Sequence, residues 1–146
     1  MENARLWQHP SFTIRALEGG PCEVQKDAWD AVTSATRLAM LHLDAPGHLF
    51  VTAVGSDVLQ TGPDDFGFAL YHQGIRHVAV AAGDAPDEFD GNRDDWLQEV
   101  QLSAAHEIVH YWQEMQGTLE ATEANEVEAE RIAYEVLGIE QPMTEA

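Results

Sequence analysis

The order of elements along this chain predicts an α+β fold, with helices packed on one face of a small, mostly antiparallel sheet. Three observations carry that expectation. Three long stretches without proline repeat their apolar residues at helical spacing. Short alternating or β-branched runs lie between the first and second of these stretches. Gly, Pro, Asn and Asp punctuate the joins.

Ser11 to Leu17 alternates and reads as a strand. Asp27 to Leu43 reads as a helix, with Ala28, Ala31, Val32, Ala35, Leu38, Ala39 and Leu41 on one broad face. Pro46-Gly47 breaks it. Leu49 to Val54 reads as a strand. Phe66 to Tyr71 and Ile75 to Ala81 read as a hairpin around His72-Gln73-Gly74. The acidic stretch Gly83 to Asp95 does not have calcium-loop spacing and reads as a solvated, lid-like loop. Residues 94–116 contain no Pro or Gly and read as a helix that ends at Gly117. Asp94 and Asp95 favour its first turn through the helix dipole. Leu97, Ala104, Ala105, Ile108, Trp112 and Met115 form its core face, widened by Val100, Leu102 and Val109. Thr118 to Gly138 reads as the last helix, with Thr118 or Thr122 as N-cap.

The chemistry concentrates in residues 106–110, His-Glu-Ile-Val-His. On a helix, positions i and i+4 share one face, so His106 and His110 can reach one metal ion. Glu107 can then sit beside a metal-bound water as a base. Two neighbouring imidazoles on a buried helix are costly unless a ligand or hydrogen-bond partners satisfy them. A tetrahedral zinc site with an open position needs a third protein ligand. The last helix carries Glu120, Glu123, Glu126, Glu128, Glu130 and Glu135, most of them ordinary solvated carboxylates. Val127, Ala129, Ile132, Ala133, Val136 and Leu137 define its buried side. Glu126 borders that side and Glu130 lies one turn further along, while Glu128 and Glu135 point more nearly to solvent. Glu123 is the rival, in a first turn where the dipole favours a carboxylate anyway. The expected ligands of a Zn2+ ion are therefore His106, His110 and Glu126.

HEIVH followed by Asn125-Glu126-Val127-Glu128-Ala129-Glu130 resembles the gluzincin branch of zinc metallopeptidases, in which HExxH on one helix pairs with a Glu on the next. Glu126-x-x-Ala129-x-x-Ile132-Ala133 is also similar to a segment of ImmA/IrrE-type peptidases, and the layout is similar to minigluzincins. Fifteen residues separate His110 from Glu126, enough for a tight helical return. The resemblance implies a zincin-like fold and a zinc-dependent peptidase acting on a peptide or protein. It implies that Glu130 hydrogen-bonds a ligand His, although that family's Ser and Asp are Ala129 and the longer Glu130 here. By the same analogy the strand Ile75 to Ala82 would be the sheet edge that pairs with substrate. Tyr134 and Tyr111 are candidates for stabilising an oxyanion, from side-chain chemistry alone.

The length of 146 residues suits one domain, 1–146, and 45% hydrophobic content excludes disorder. No run of 18 apolar residues exists, so no membrane span is expected. The first ten residues lack a basic and then apolar leader, so no signal peptide is expected. Cys22, after Gly19-Gly20-Pro21, is the only cysteine. It reads as a structural bystander, and a reducing cytoplasm fits. The net charge of −19 opposes nucleic-acid binding through bulk electrostatics. Solubility, high-salt adaptation and a basic partner all suit such acidity. A second reading keeps the zinc and drops turnover: a regulatory or protein-interaction domain on a peptidase fold.

Overall fold

The computed structural model describes residues 5–17, 21–89 and 91–142. Gly19 and Gly20, expected in a turn before Cys22, and Asp90 of the acidic stretch lie outside the described residues. The elements run β1 (Leu6–His9), β2 (Phe12–Leu17), α1 (Lys26–His42), β3 (Leu49–Val54), β4 (Leu59–Gln60), β5 (Phe66–Gly67), β6 (Ala69–His72), β7 (His77–Ala81), α2 (Arg93–Gln116) and α3 (Glu123–Leu137). A short 3₁₀ turn, Asp87–Phe89, breaks the acidic stretch before α2.

The α+β class holds, but the sheet is mixed rather than mostly antiparallel. Its five strands lie in the order β1-β2-β3-β7-β6. The outer pairs, β1 with β2 and β6 with β7, are antiparallel. The inner pairs, β2 with β3 and β3 with β7, are parallel. The cause is α1, which carries the chain back across the sheet face, so β3 must enter alongside β2 in the same direction. A second correction concerns the edge. β7, the strand expected at the rim, lies inside the sheet between β3 and β6, and β6 is the rim instead. Phe66-Gly67 leaves the expected hairpin and pairs with Leu59–Gln60 in a separate two-stranded ribbon.

Strand register lines up Ile14, Val51, Val78 and Tyr71 across β2, β3, β7 and β6. All four are buried on the face that meets the helices. Ala28, Ala31, Ala35 and Ala39 give α1 a smooth buried stripe, so it can approach closely. α2 contributes Trp96, Val100, Ile108 and Val109, and α3 adds Ala129 and Ile132. Each large side chain here gains about 1.5–3 kcal/mol from leaving water. Val127, expected on the buried side of α3, is instead 60% exposed. It lies two residues, about 200° around the helix, from the buried Ala129.

Capping residues fix where the last two helices begin. The Asn92 side chain accepts from the Asp95 N–H at 3.2 Å, so α2 starts at Arg93. Gly117, with φ of 78°, takes the left-handed turn that closes α2. Thr118 is then spent on α2, its N–H and hydroxyl both donating to the Gln113 carbonyl. Thr122 is left as the cap of α3, accepting from the Asn125 N–H. That choice places Glu126 in the first turn of α3.

On the opposite sheet face, His72 of β6 stacks on His77 of β7 with their Nδ1 atoms 2.9 Å apart. One Nδ1 must donate and the other accept, so a proton on both would break the bond. The His77 Nε2 lies 2.8 Å from the Thr52 hydroxyl. Burial first, then the charges of His72 and Arg15, hold the His77 pKa below the ordinary histidine value of 6.5. The unfolded chain therefore takes up this proton more readily than the folded one. The resulting stability is present above the unfolded pKa of about 6.5 and is lost as pH falls below it. Thermal unfolding of the parent and of His77→Asn from about pH 8 to about pH 5 should show the parent losing its advantage in acid.

Candidate metal centre

α2 and α3 approach closely because small residues line their contact. Ala105 of α2 and Ala133 of α3 are both fully buried in one cluster with Leu102. This brings the imidazoles of α2 against the first two turns of α3. The rings of His106 and His110 lie 4.8 Å apart at 80° to each other. The His106 Nε2 is 3.0 Å from Glu126 Oε1, and the His110 Nε2 is 3.0 Å from Glu126 Oε2. One carboxylate thus faces both imidazoles. Glu123, the rival, makes no such contact among the described residues.

Could these atoms hold a metal? Zinc bonds of about 2.0–2.2 Å at tetrahedral angles set ligand atoms about 3.3–3.5 Å apart. The two observed separations, 3.0 Å each to a different Glu126 oxygen, are a little shorter than that spacing, and Glu126 has room to adjust, with 61% of its side chain exposed. The charge balance fits too. Glu107, Glu126 and Glu130 surround two imidazoles, and among the described residues no Lys or Arg lines the neighbouring cavities. A bound cation would supply the missing positive charge. Metal-binding atoms of His106, Glu107 and His110 also lie within 4.8 Å of one another. Glu107 is the poorer third ligand, because it touches neither Nε2 and its Oε1 accepts the Tyr71 N–H at 3.0 Å. Burial pushes the Glu107 carboxyl up, against the opposing pull of His106, His110 and that N–H. A raised carboxyl is better suited to proton transfer near neutrality.

Each imidazole has an acceptor on its far nitrogen. The His106 Nδ1 lies 3.1 Å from Glu130 Oε1, so the residue suggested by the resemblance does meet His106. Burial works to lower the His106 pKa, but Glu107, Glu130 and Glu126 outweigh it and hold it above the usual histidine value. The His110 Nδ1 lies 2.7 Å from Gln113 Oε1. The Gln113 Nε2 donates to the Asn125 carbonyl at 3.2 Å and to Glu128 Oε1 at 2.8 Å. Glu128 is therefore half-buried and engaged rather than turned to solvent. Gln113 and Glu128 carry no pattern that flags them; the available signal is spacing, since Gln113 is i+3 from His110.

The rim strand β6 is tied to the same helix. The Tyr71 N–H reaches Glu107, and its hydroxyl donates to Glu114 two turns further along α2. Gly74 N–H also donates to Glu114, at 3.1 Å. Two cavities flank Glu107. One, of about 240 Å³, is lined by Phe68, Ala69, Glu99, His106, Glu130 and Tyr134. The other, of about 180 Å³, is lined by Tyr71, Gln73, His110, Glu120 and Glu126. Burial pushes the Glu99 carboxyl up, and the Ser103 hydroxyl donates to it at 2.8 Å.

Tyr134 and Tyr111 part company. Tyr134 lines the cavity beside His106 and Glu107. Tyr111 is buried with its hydroxyl donating to the Pro46 carbonyl at 2.9 Å, and among the described residues it lines neither cavity beside Glu107. His48 bonds Thr13 and Pro10, away from the motif. Cys22 packs tightly, since an added Cβ at Gly83 would sit 2.4 Å from its sulfur. Burial pushes its thiol up, which opposes reactivity.

Compared with known proteins, the chain matches no family model, no curated protein and no solved structure. Among the described residues, no helix is long and apolar enough to cross a membrane.

Tyr71→Phe removes a hydrogen bond to a charged partner, worth about 1.5–3 kcal/mol. Denaturant unfolding should register that loss, with faster amide exchange at Gly74 as the hairpin loosens.

Proposed function

We propose that this protein is a zinc-dependent metallopeptidase with a zincin-like arrangement. The observation that supports it best is the convergence of both Nε2 atoms on the Glu126 carboxylate, 3.0 Å from each. A tool of this kind needs ligands, a base and a wall for an extended chain. His106, His110 and Glu126 would hold the ion. Zinc bound there would acidify a water and polarise the carbonyl it touches.

The chain's own residues supply the proton handling. Glu107 accepts the water proton and delivers it to the leaving amine. Its raised pKa suits both halves of that task. The Tyr71 N–H holds one Glu107 oxygen, which leaves the other to work. Tyr134 is the remaining candidate donor to a developing oxyanion. β6, as the sheet rim beside Glu107, is the strand an extended peptide would lie against. The low positive charge around the site disfavours nucleic acid, and one free cysteine suits a reducing cytoplasm.

Zinc analysis and peptide cleavage test this together. The purified protein should bind one zinc ion, and Glu126→Ala should lose it. Glu107→Gln should keep the zinc and lose a factor of about 10²–10⁴ in cleavage rate. Undiminished cleavage by Glu107→Gln would exclude the role given to that residue. Zinc retention with no cleavage of any peptide by the parent would favour a non-catalytic regulatory domain.

A further inference from the structure

Gln113 is a glutamine with no exposed surface, set one turn beyond His110 on α2. A buried amide must satisfy its donors and its acceptor together. Here the geometry permits one orientation. The nitrogen end faces the Asn125 carbonyl and a Glu128 oxygen, at 3.2 and 2.8 Å, and neither can donate. The amide must therefore present its NH2 to them and its oxygen to His110. An amide oxygen only accepts, so the His110 Nδ1 at 2.7 Å must carry the hydrogen. The Nε2 is the nitrogen that faces Glu126, at 3.0 Å, and it is the one left to bind a metal.

We propose that Gln113 is a positioning residue of the metal centre: Glu128 orients its amide, and the amide fixes the ring and proton of His110. The inference rests on the metal-binding reading above. Gln113 does a second thing at once, because its bond to the Asn125 carbonyl ties α2 to the residue that precedes Glu126. One side chain thus sets the direction of one ligand and the position of the helix that bears another. His106 has a carboxylate in the corresponding place, Glu130, which is 49% exposed at its side chain. The two ligand imidazoles are held by different means: an exposed acid for one, a sealed amide for the other.

Zinc competition titration and NMR of the His110 ring test this. In the zinc-loaded parent, the Nδ1 proton of His110 should be visible and sheltered from exchange with water. Gln113→Leu fills the space without an acceptor. It should weaken zinc binding by about 10–100-fold, the usual effect of losing a ligand's outer partner, and expose that proton to exchange. The double variant Gln113→Glu with Glu128→Gln restores an acceptor to His110 and gives residue 113 a donor from residue 128, but not the bond to the Asn125 carbonyl, and should regain part of the loss. A residue that merely fills space predicts neither the proton signal nor this recovery. Equal zinc affinity in a folded Gln113→Leu overturns the relay and leaves the metal centre standing. If Gln113→Leu does not fold, a His110 Nδ1 proton in the parent that exchanges as freely as an exposed ring overturns it. Failure of the parent to bind zinc overturns both readings.

Discussion

The close approach of α2 and α3 is the constraint on which the site depends. Side chains on two helices can converge on one point only if the helix axes are near enough, and that requires small residues where they touch. Ala105 and Ala133 meet that need beside Leu102, and Ala104 and Ala129 are equally buried. The reversal between the helices is fixed by Gly117 and Thr122, one closing α2 and the other opening α3. Lengthening this turn or enlarging either alanine would move Glu126 away from both imidazoles. The chemistry is thus set by packing before any polar contact contributes.

Much of this was legible in the chain. The three helices announce themselves through apolar periodicity, and the last two end at the glycines expected to end them, whereas α1 stops at Leu43, ahead of Pro46-Gly47. The imidazole pair follows from i,i+4 spacing, while Glu126 ranks above Glu123 only because the dipole already accounts for a first-turn carboxylate, and α3 begins late enough to put Glu126 in that turn as well. The sheet was less legible. Alternation marks a strand but not its neighbours, so neither the parallel β2–β3 pair, joined through α1, nor the parallel β3–β7 pair left a local trace. The hairpin signal showed that β6 and β7 pair, yet it could not say which of the two is outermost. β1 was missed because Leu6 to His9 is exposed throughout and has no buried alternation. Gln113 escaped for a different reason: a single polar residue inside an amphipathic helix looks like surface until its neighbours are known.

Electrostatics link the site to the whole molecule. A net charge of −19 means that folding gathers carboxylates that would rather stay apart. Around His106 and His110 this crowding is local, with Glu107, Glu126, Glu130 and Glu128 on adjoining turns. The raised pKa of His106 answers that crowding, a base tending to gain a proton, whereas burial is the main reason that Glu107 tends to keep one.

The anchoring of β6 on α2 has a consequence for whatever lies along the rim. Tyr71 grips the helix twice, by main chain at Glu107 and by hydroxyl at Glu114. Two bolts seven residues apart on one helix hold a four-residue strand straight and stop it from swinging. A guest chain laid beside such a rail surrenders only its own freedom, since the host's share of the ordering was settled when the protein folded.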